Sequence, residues 1–372
     1  MGRTAYARVA KAKTTGRHLT ASLFAATLAL GALMVAPAAR HALPLPVTRI
    51  VAVEPALRAS SRSSAPEWQY RATRMDRVPA SVRRAAAGIT IAVIDTGADL
   101  RAPDVAAKAP ELHTVVAADA NDVDGHGTFV AALAAGSDTN GEGIAGFGGS
   151  ARLLVVRAVG NDGTVTDAAE AAAIRYAVDR GARIINLSIA GAGTSEAERA
   201  AVEYAASRGV LLVAAAGNEF ARGNAVQYPA ALLQPVGSNG IGGVGLVVGA
   251  SNRAGRRAQF SGAGSWISLA APGSEVLSDA STTSSTRDYH RIRVRGSRGV
   301  FATASGTSFA APQVAGAAAL VWAANPALTA RQVADLLERT ASRRSGGWNP
   351  ELGWGVLDAG AAVAAARSGA VS

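Results

Sequence analysis

The sequence predicts an α/β fold: a three-layer, doubly wound sheet, mostly parallel, with helices on both faces. Runs of Val, Ile, Leu and Ala recur at residues 89–95, 151–159, 183–190, 210–216, 246–250 and 267–271. They are continuous rather than alternating, which is the pattern of strands covered on both sides. Between them lie helical stretches with marked ends. Asp167 with Glu170, Ser195 with Glu198, and Thr329 with Gln332 each read as a capping box, and Gly181 and Gly209 suit helix ends. Right-handed crossovers between such elements bring the strand C-termini to one edge, where ligands bind.

The signals run unbroken from residue 89 to 358, so one large domain is expected within the 372 residues. The absence of cysteine excludes disulfides, thiolate metal sites and a cysteine nucleophile. The formal charge of +10 is unevenly placed: residues 1–84 hold 14 Lys and Arg against 3 Asp and Glu, leaving 23 against 24 for the remainder. The folded part is near neutral, which argues against a nucleic-acid partner.

Arg3, Arg8, Lys11, Lys13 and Arg17 precede an uncharged stretch from Leu19 to Ala39 that ends in Ala36-Pro37-Ala38. This is the plan of a secretory signal peptide over residues 1–38. The stretch is also long enough to span a bilayer uncleaved, the one arrangement that would give a membrane contact. Either way the domain is exported, to the medium or the outside of the cell envelope. Residues 39–66 mix Pro, Ser, Arg and Ala without period and read as a linker or short propeptide, leaving 67–372 as the folded domain.

Three stretches carry the chemistry. Ile91 to Gly97 is a buried-strand pattern that sets Asp95 at a strand end. Asp124-Gly-His-Gly-Thr128 leads into an apolar helix and puts His126 at its start. Gly306-Thr-Ser-Phe-Ala-Ala-Pro312 opens another apolar helix, with Ser308 in the first turn, where unpaired N–H groups and the helix dipole favour negative charge. Pro312 is expected early enough in that helix to cost no intrahelical bond. Singly, Ser308 reads equally well as a cap and Asp95 as a turn former. Together a carboxylate, an imidazole and a hydroxyl are the parts of a hydrolytic triad.

In this order, and in these motifs, the chain resembles the subtilisin-like (subtilase) serine proteases over about residues 67–365. The resemblance implies that Asp95 orients His126, that His126 is general base and acid, and that Ser308 is the nucleophile. It implies that Asn218, at the end of the run 210–218, donates to the oxyanion with the Ser308 N–H. Polypeptide substrates would pair along the edge Ser188, Ile189, Ala190 and Gly191, with Ala214, Ala215, Ala216 and Gly217 as the opposite wall. Those small residues leave room for a large apolar or aromatic residue before the scissile bond, P1. No cofactor is needed for the chemistry. Asp104 matches a calcium-ligating carboxylate of the family, with Asp138 and Asn140 in the accompanying loop, although Asp and Asn are also ordinary turn residues. A monomer is expected.

Several residues depart from the family pattern. Phe309 follows the nucleophile where many members have Met, Phe129 replaces a frequent histidine, and Ala190 replaces a glycine. The propeptide segment is also short for the family. Gly240, Gly242 and Gly245 spell a dinucleotide fingerprint, but the following residues read as a strand rather than a helix, so it is discounted. Arg287, Arg291, Arg293, Arg295 and Arg298 alternate in an expected hairpin and read as a solvated edge in preference to an acidic-substrate contact. The rival functions are an idle binding scaffold of the same fold and an exported esterase.

Overall fold

The structure, a computed structural model, describes residues 47–50, 68–141, 143–284, 289–294, 297–342 and 346–369. The expected leader and most of the expected linker lie outside the described residues, as do Arg287 and Arg295. In chain order the strands are β1 (Val47–Ile50), β2 (Thr90–Asp95), β3 (Glu111–Thr114), β4 (Arg152–Arg157), β5 (Thr164–Thr166), β6 (Ile184–Leu187) and β7 (Ile189–Ala190). There follow β8 (Leu211–Ala215), β9 (Gly245–Ser251), β10 (Leu269–Pro272), β11 (Val276–Asp279), β12 (His290–Ile292) and β13 (Phe301–Ala304). The longer helices are α1 (His126–Ala135), α2 (Asp167–Asp179), α3 (Glu196–Ser207), α4 (Thr307–Ala324), α5 (Ala330–Thr340) and α6 (Ala359–Ser368).

The main sheet runs β10-β9-β8-β6-β2-β4-β3, with every neighbouring pair parallel. Side chains alternate between its two faces, and both faces are apolar because both are covered. Ile91, Val93, Val155, Val213 and Val248 join the core of α1 and α4, while Ala92, Ile94, Val156, Leu212 and Val247 join that of α2 and α3. The order reverses at β2, which therefore opens the crevice of a doubly wound sheet at its C-terminal end, at Asp95.

Each expected strand run forms, and β9 follows the Gly240-Gly242-Gly245 sequence as a strand. β12 and β13 pair antiparallel, with Arg291, Arg293 and Arg298 exposed and Ile292 and Val294 packed inward, the expected solvated edge. The caps differ from expectation in part. Thr329 and Gln332 form the full box. Ser195 accepts the Glu198 N–H, but the Glu198 carboxylate makes no return bond. At α2 the cap is Thr166, which accepts the Ala169 N–H; Asp167 is already inside the helix.

One connection was not expected. β1 lies between β5 and β7 in a small antiparallel sheet, Arg49 standing opposite both Thr164 and Ala190. No helix among the described residues is long and apolar enough to cross a membrane.

Candidate active site

Asp95 closes β2 fully buried, and its Oδ1 stands 2.7 Å from Nδ1 of His126 in the first residue of α1. The two meet because two glycines allow it. A side-chain carbon on Gly127 would collide with the Gly97 carbonyl, and one on Gly97 with that of Ala120. Gly125 and Gly97 also take positive φ, of 107° and 109°, which few other residues adopt.

Sequence reasoning missed the residues that hold this turn. Asp122, 2 % exposed, accepts the N–H groups of Gly125 and Thr128 and the hydroxyls of Thr96 and Thr128. Thr96 in turn accepts the Gly127 N–H at 2.8 Å. The available signal was a second aspartate four positions before the histidine. Burial raises the Asp122 pKa, against the pull of these hydrogen bonds.

Burial is the largest influence on His126 and disfavours its charged form, but the charge and hydrogen bond of Asp95, with Asp124 and Asp122 behind, outweigh it. The imidazole pKa is raised. Its Nε2 is buried and has no hydrogen-bond partner. Phe309 packs on the ring at 5.5 Å between centroids and on Phe129 at 4.5 Å. The two departures from the family pattern are therefore neighbours in one aromatic cluster behind the imidazole.

Ser308 is the second residue of α4. Pro312 lies deeper in that helix than expected, where it lacks the N–H that would bind the Ser308 carbonyl. Ser188 supplies the missing donor, its Oγ donating to the Ser308 carbonyl at 2.8 Å, with Asn186 donating to Ser188 at 3.0 Å. The Ser308 Oγ lies 3.4 Å from the Ser188 carbonyl. Gly306 does not make the sharp turn that its sequence context suggests. Its φ of 165° is ordinary extended backbone, but a side-chain carbon there would stand 3.4 Å from Asn218 Nδ2 and from the Phe309 ring.

Asn218 follows β8 as expected, and its Oδ1 accepts both the N–H and the hydroxyl of Thr307 at 3.0 Å. That fixes the amide with its nitrogen on the side of Gly306. Thr307 also accepts the Gly217 N–H at 3.1 Å, and was not picked out from sequence. On the substrate edge, Ser188, Ile189 and Ala190 are buried beside Ser308, whereas Gly191 exchanges both main-chain bonds with Tyr228. Of the residues expected as the opposite wall, Ala214 and Ala215 pack into opposite cores.

The expected calcium ligands are only partly brought together. Asp104 is buried and accepts from Asn140 Nδ2 and the Ile144 N–H, each at 2.7 Å. Asp138 instead faces Arg83 at 3.9 Å. Behind Asp104 lies Asp279, whose pKa is pushed up to about 8 by burial and then by the Asp104 charge. No group of three or more His, Cys, Asp or Glu among the described residues is arranged to hold a metal.

The class is that of an α/β protein with a parallel main sheet, a carboxylate-held imidazole at its switch point and a serine in the first turn of α4. The subtilase family profile matches residues 86–355, and the chain belongs to that family of serine peptidases. It is 36% identical to the thermophilic serine proteinase of Bacillus sp. (strain AK1), over 71% of this chain and 59% of that one. It is also 36% identical to thermitase of Thermoactinomyces vulgaris, over 70% and 83%. Fervidolysin of Fervidobacterium pennivorans, a keratinolytic enzyme related to subtilisin, superposes with a TM-score of 0.66 at 25% identity, over 85% of this chain and 50% of fervidolysin. The chain thus spans little more than half of the first of these relatives.

Proposed function

We propose that the chain is an exported serine endopeptidase that cleaves polypeptides through an acyl-enzyme on Ser308. The observation that carries this reading is the 2.7 Å contact from Asp95 to His126 Nδ1, with Nε2 buried and open on the other side of the ring. Asp95 accepts a hydrogen bond from Nδ1–H and so keeps the proton on Nδ1 and the lone pair on Nε2. That nitrogen takes the Ser308 proton as Oγ bonds to the scissile carbonyl carbon. The carbonyl oxygen becomes an alkoxide, for which the Asn218 Nδ2 and the Ser308 N–H are the donors. On collapse the C–N bond breaks and His126 returns its proton to the departing amine. Water then adds to the acyl carbon, giving a proton to His126, and the Ser308 ester is released as carboxylic acid and free hydroxyl.

Substrate main chain would lie between β5 and β7, the place β1 takes in this structure, since an extended peptide added to open strand edges is held independently of its sequence. The wall at 214–217 favours a large apolar or aromatic P1 residue within broad specificity. A fluorophosphonate probe tests the reading. Labelling and casein digestion, both lost in Ser308→Ala, are expected. Labelling without casein digestion, but with turnover of short-chain esters, would transfer the chain to the esterases. Absence of labelling would leave a scaffold.

Calcium beside Asp104 fits in charge. Two buried carboxyls adjoin there, the Oδ1 of Asp279 has no hydrogen-bond partner, and turning the Asn140 amide over would present its oxygen. Asp104 and Asn140 would hold the ion, which would tie their loop down and take no part in the chemistry. A melting temperature that rises with added calcium and falls on chelation is expected, and one indifferent to both counts against the ion.

A further inference from the structure

Glu170 and Glu198 are left with no structural duty. A capping role accounts for neither: Thr166 caps α2, and Ser195 caps α3 with no bond back from Glu198. Both residues are 0 % exposed, and neither carboxylate oxygen of Glu170 has a hydrogen-bond partner, while on Glu198 only the adjacent Thr194 hydroxyl and Ser195 N–H act, against the effect of burial. They stand in the first turns of neighbouring helices with Asp167, and the three charges act on one another. Burial first, and then these like charges, hold Glu170 well above the usual carboxylate range, and burial pushes Glu198 up to about 7. Among the described residues, Arg199 is the cation whose charge bears most on Glu198. Buried carboxyls in this state are costly unless a cation meets them, and no metal-holding group exists among the described residues.

The register of the cleft says where such a cation would come from. Ser188 grips Ser308, so the substrate residue alongside Ser188 is the one whose carbonyl is attacked. In the antiparallel register that β1 adopts, the second residue back lies opposite Ile189 and the third opposite both Ala190 and Thr164. The fourth lies opposite Val165. Val165 is 1 % exposed and packs with Ala171, Ile174 and Val202 of α2 and α3, while Thr164 and Thr166 on either side of it face outward. Residues paired across antiparallel strands turn to the same face. The fourth side chain is therefore directed toward the first turns of α2 and α3.

We propose that Glu170 and Glu198, with Asp167 beside them, form an acidic subsite that selects lysine or arginine at P4, the fourth residue before the scissile bond. An ammonium or guanidinium entering there would pair with Glu170, whose buried carboxylate otherwise has no hydrogen bond, and with Glu198 beside it. The proposal rests on the endopeptidase reading, and its test separates the two. Fluorogenic peptides with an aromatic P1, differing only at P4 (Arg, Lys, Leu or Glu), are compared on the secreted protein. Arg and Lys are expected to exceed Leu by about tenfold or more in kcat/KM, with most of the difference in KM, and Glu to be poorest. In Glu170→Gln/Glu198→Gln the Arg-to-Leu ratio should fall to within about threefold. Fluorophosphonate labelling of that variant verifies that the site is folded, and if it fails to label, the wild-type profile alone decides. Equal cleavage, or a preference for Leu, with labelling intact overturns the subsite and leaves the peptidase. Neither cleavage nor labelling in the wild type overturns the peptidase reading, and the subsite with it.

Discussion

Thr307 holds the Asn218 amide oxygen with two donors, and this is what turns the amide nitrogen toward Gly306, where the proposed mechanism puts the oxyanion. Thr307→Val keeps the backbone donor and removes the hydroxyl. It should lower kcat by about tenfold with KM little changed, against about a hundred- to thousandfold for Asn218→Ala. If Thr307→Val moved KM alone, Thr307 would be a cleft residue and not a positioning one. His126 must be neutral to act as base, and its pKa is raised above 6.5, so the acid limb of kcat/KM should lie above that value. Stability runs the other way. A raised folded-state pKa contributes stability that is fully present below 6.5 and lost as pH rises through the folded value. Asp95→Asn should cost about ten-thousandfold in kcat and bring the acid limb down. Phe309 puts a hydrocarbon ring where a thioether would be oxidised, so activity should survive dilute peroxide, and rapid inactivation would show another oxidisable group at the site. The contact between Asp95 and His126 was legible because both sit in motifs whose glycines, Gly97 and Gly127, have steric reasons. Asp122 and Thr307 were not, because they act only through partners distant in sequence.

At the scale of elements, sequence served best where burial alone decides. The runs that became β2, β4, β6, β8, β9 and β10 are apolar on both faces and admit no other reading. β3 is Glu-Leu-His-Thr, an edge strand held by Glu111 to Arg180 at 2.7 Å and by His113 stacked on Tyr176, contacts that no local pattern announces. The caps failed for a related reason. An acid three residues after a cap is the signature of a box, but whether its carboxylate turns back depends on tertiary surroundings, and at α3 it stayed inside. The box at α5 is complete, and Thr329→Ala should cost about 1 kcal/mol in urea unfolding. α1 and α4 approach so closely that a side-chain carbon on Gly316 would lie 2.7 Å from the Ala134 carbonyl of α1, and 2.6 Å from Phe147 in the loop beyond it. Gly316→Val should therefore cost about 1–3 kcal/mol or more, and no loss of stability would mean the helices can part freely.

Across the whole molecule, what sequence could not supply was the relation between the N-terminal segment and the catalytic domain. Residues 47–50 read as linker, with nothing periodic about them, yet they form the middle strand between β5 and β7. Strand pairing of this kind draws on main-chain groups, which every sequence has, so composition carries no trace of it. On the peptidase reading proposed above, β1 fills the non-prime side of the cleft, and a substrate must displace it or find it gone. If Ser308 itself clears the segment, N-terminal sequencing of secreted wild-type protein should find a start beyond residue 50, near 60–70. Ser308→Ala should retain residues 47–50 and bind substrate-like peptides more weakly. Identical trimming of both proteins would assign the cut to another protease. A wild type that keeps residues 47–50 and still turns over peptides at full rate would mean that β1 leaves the cleft readily without being cut.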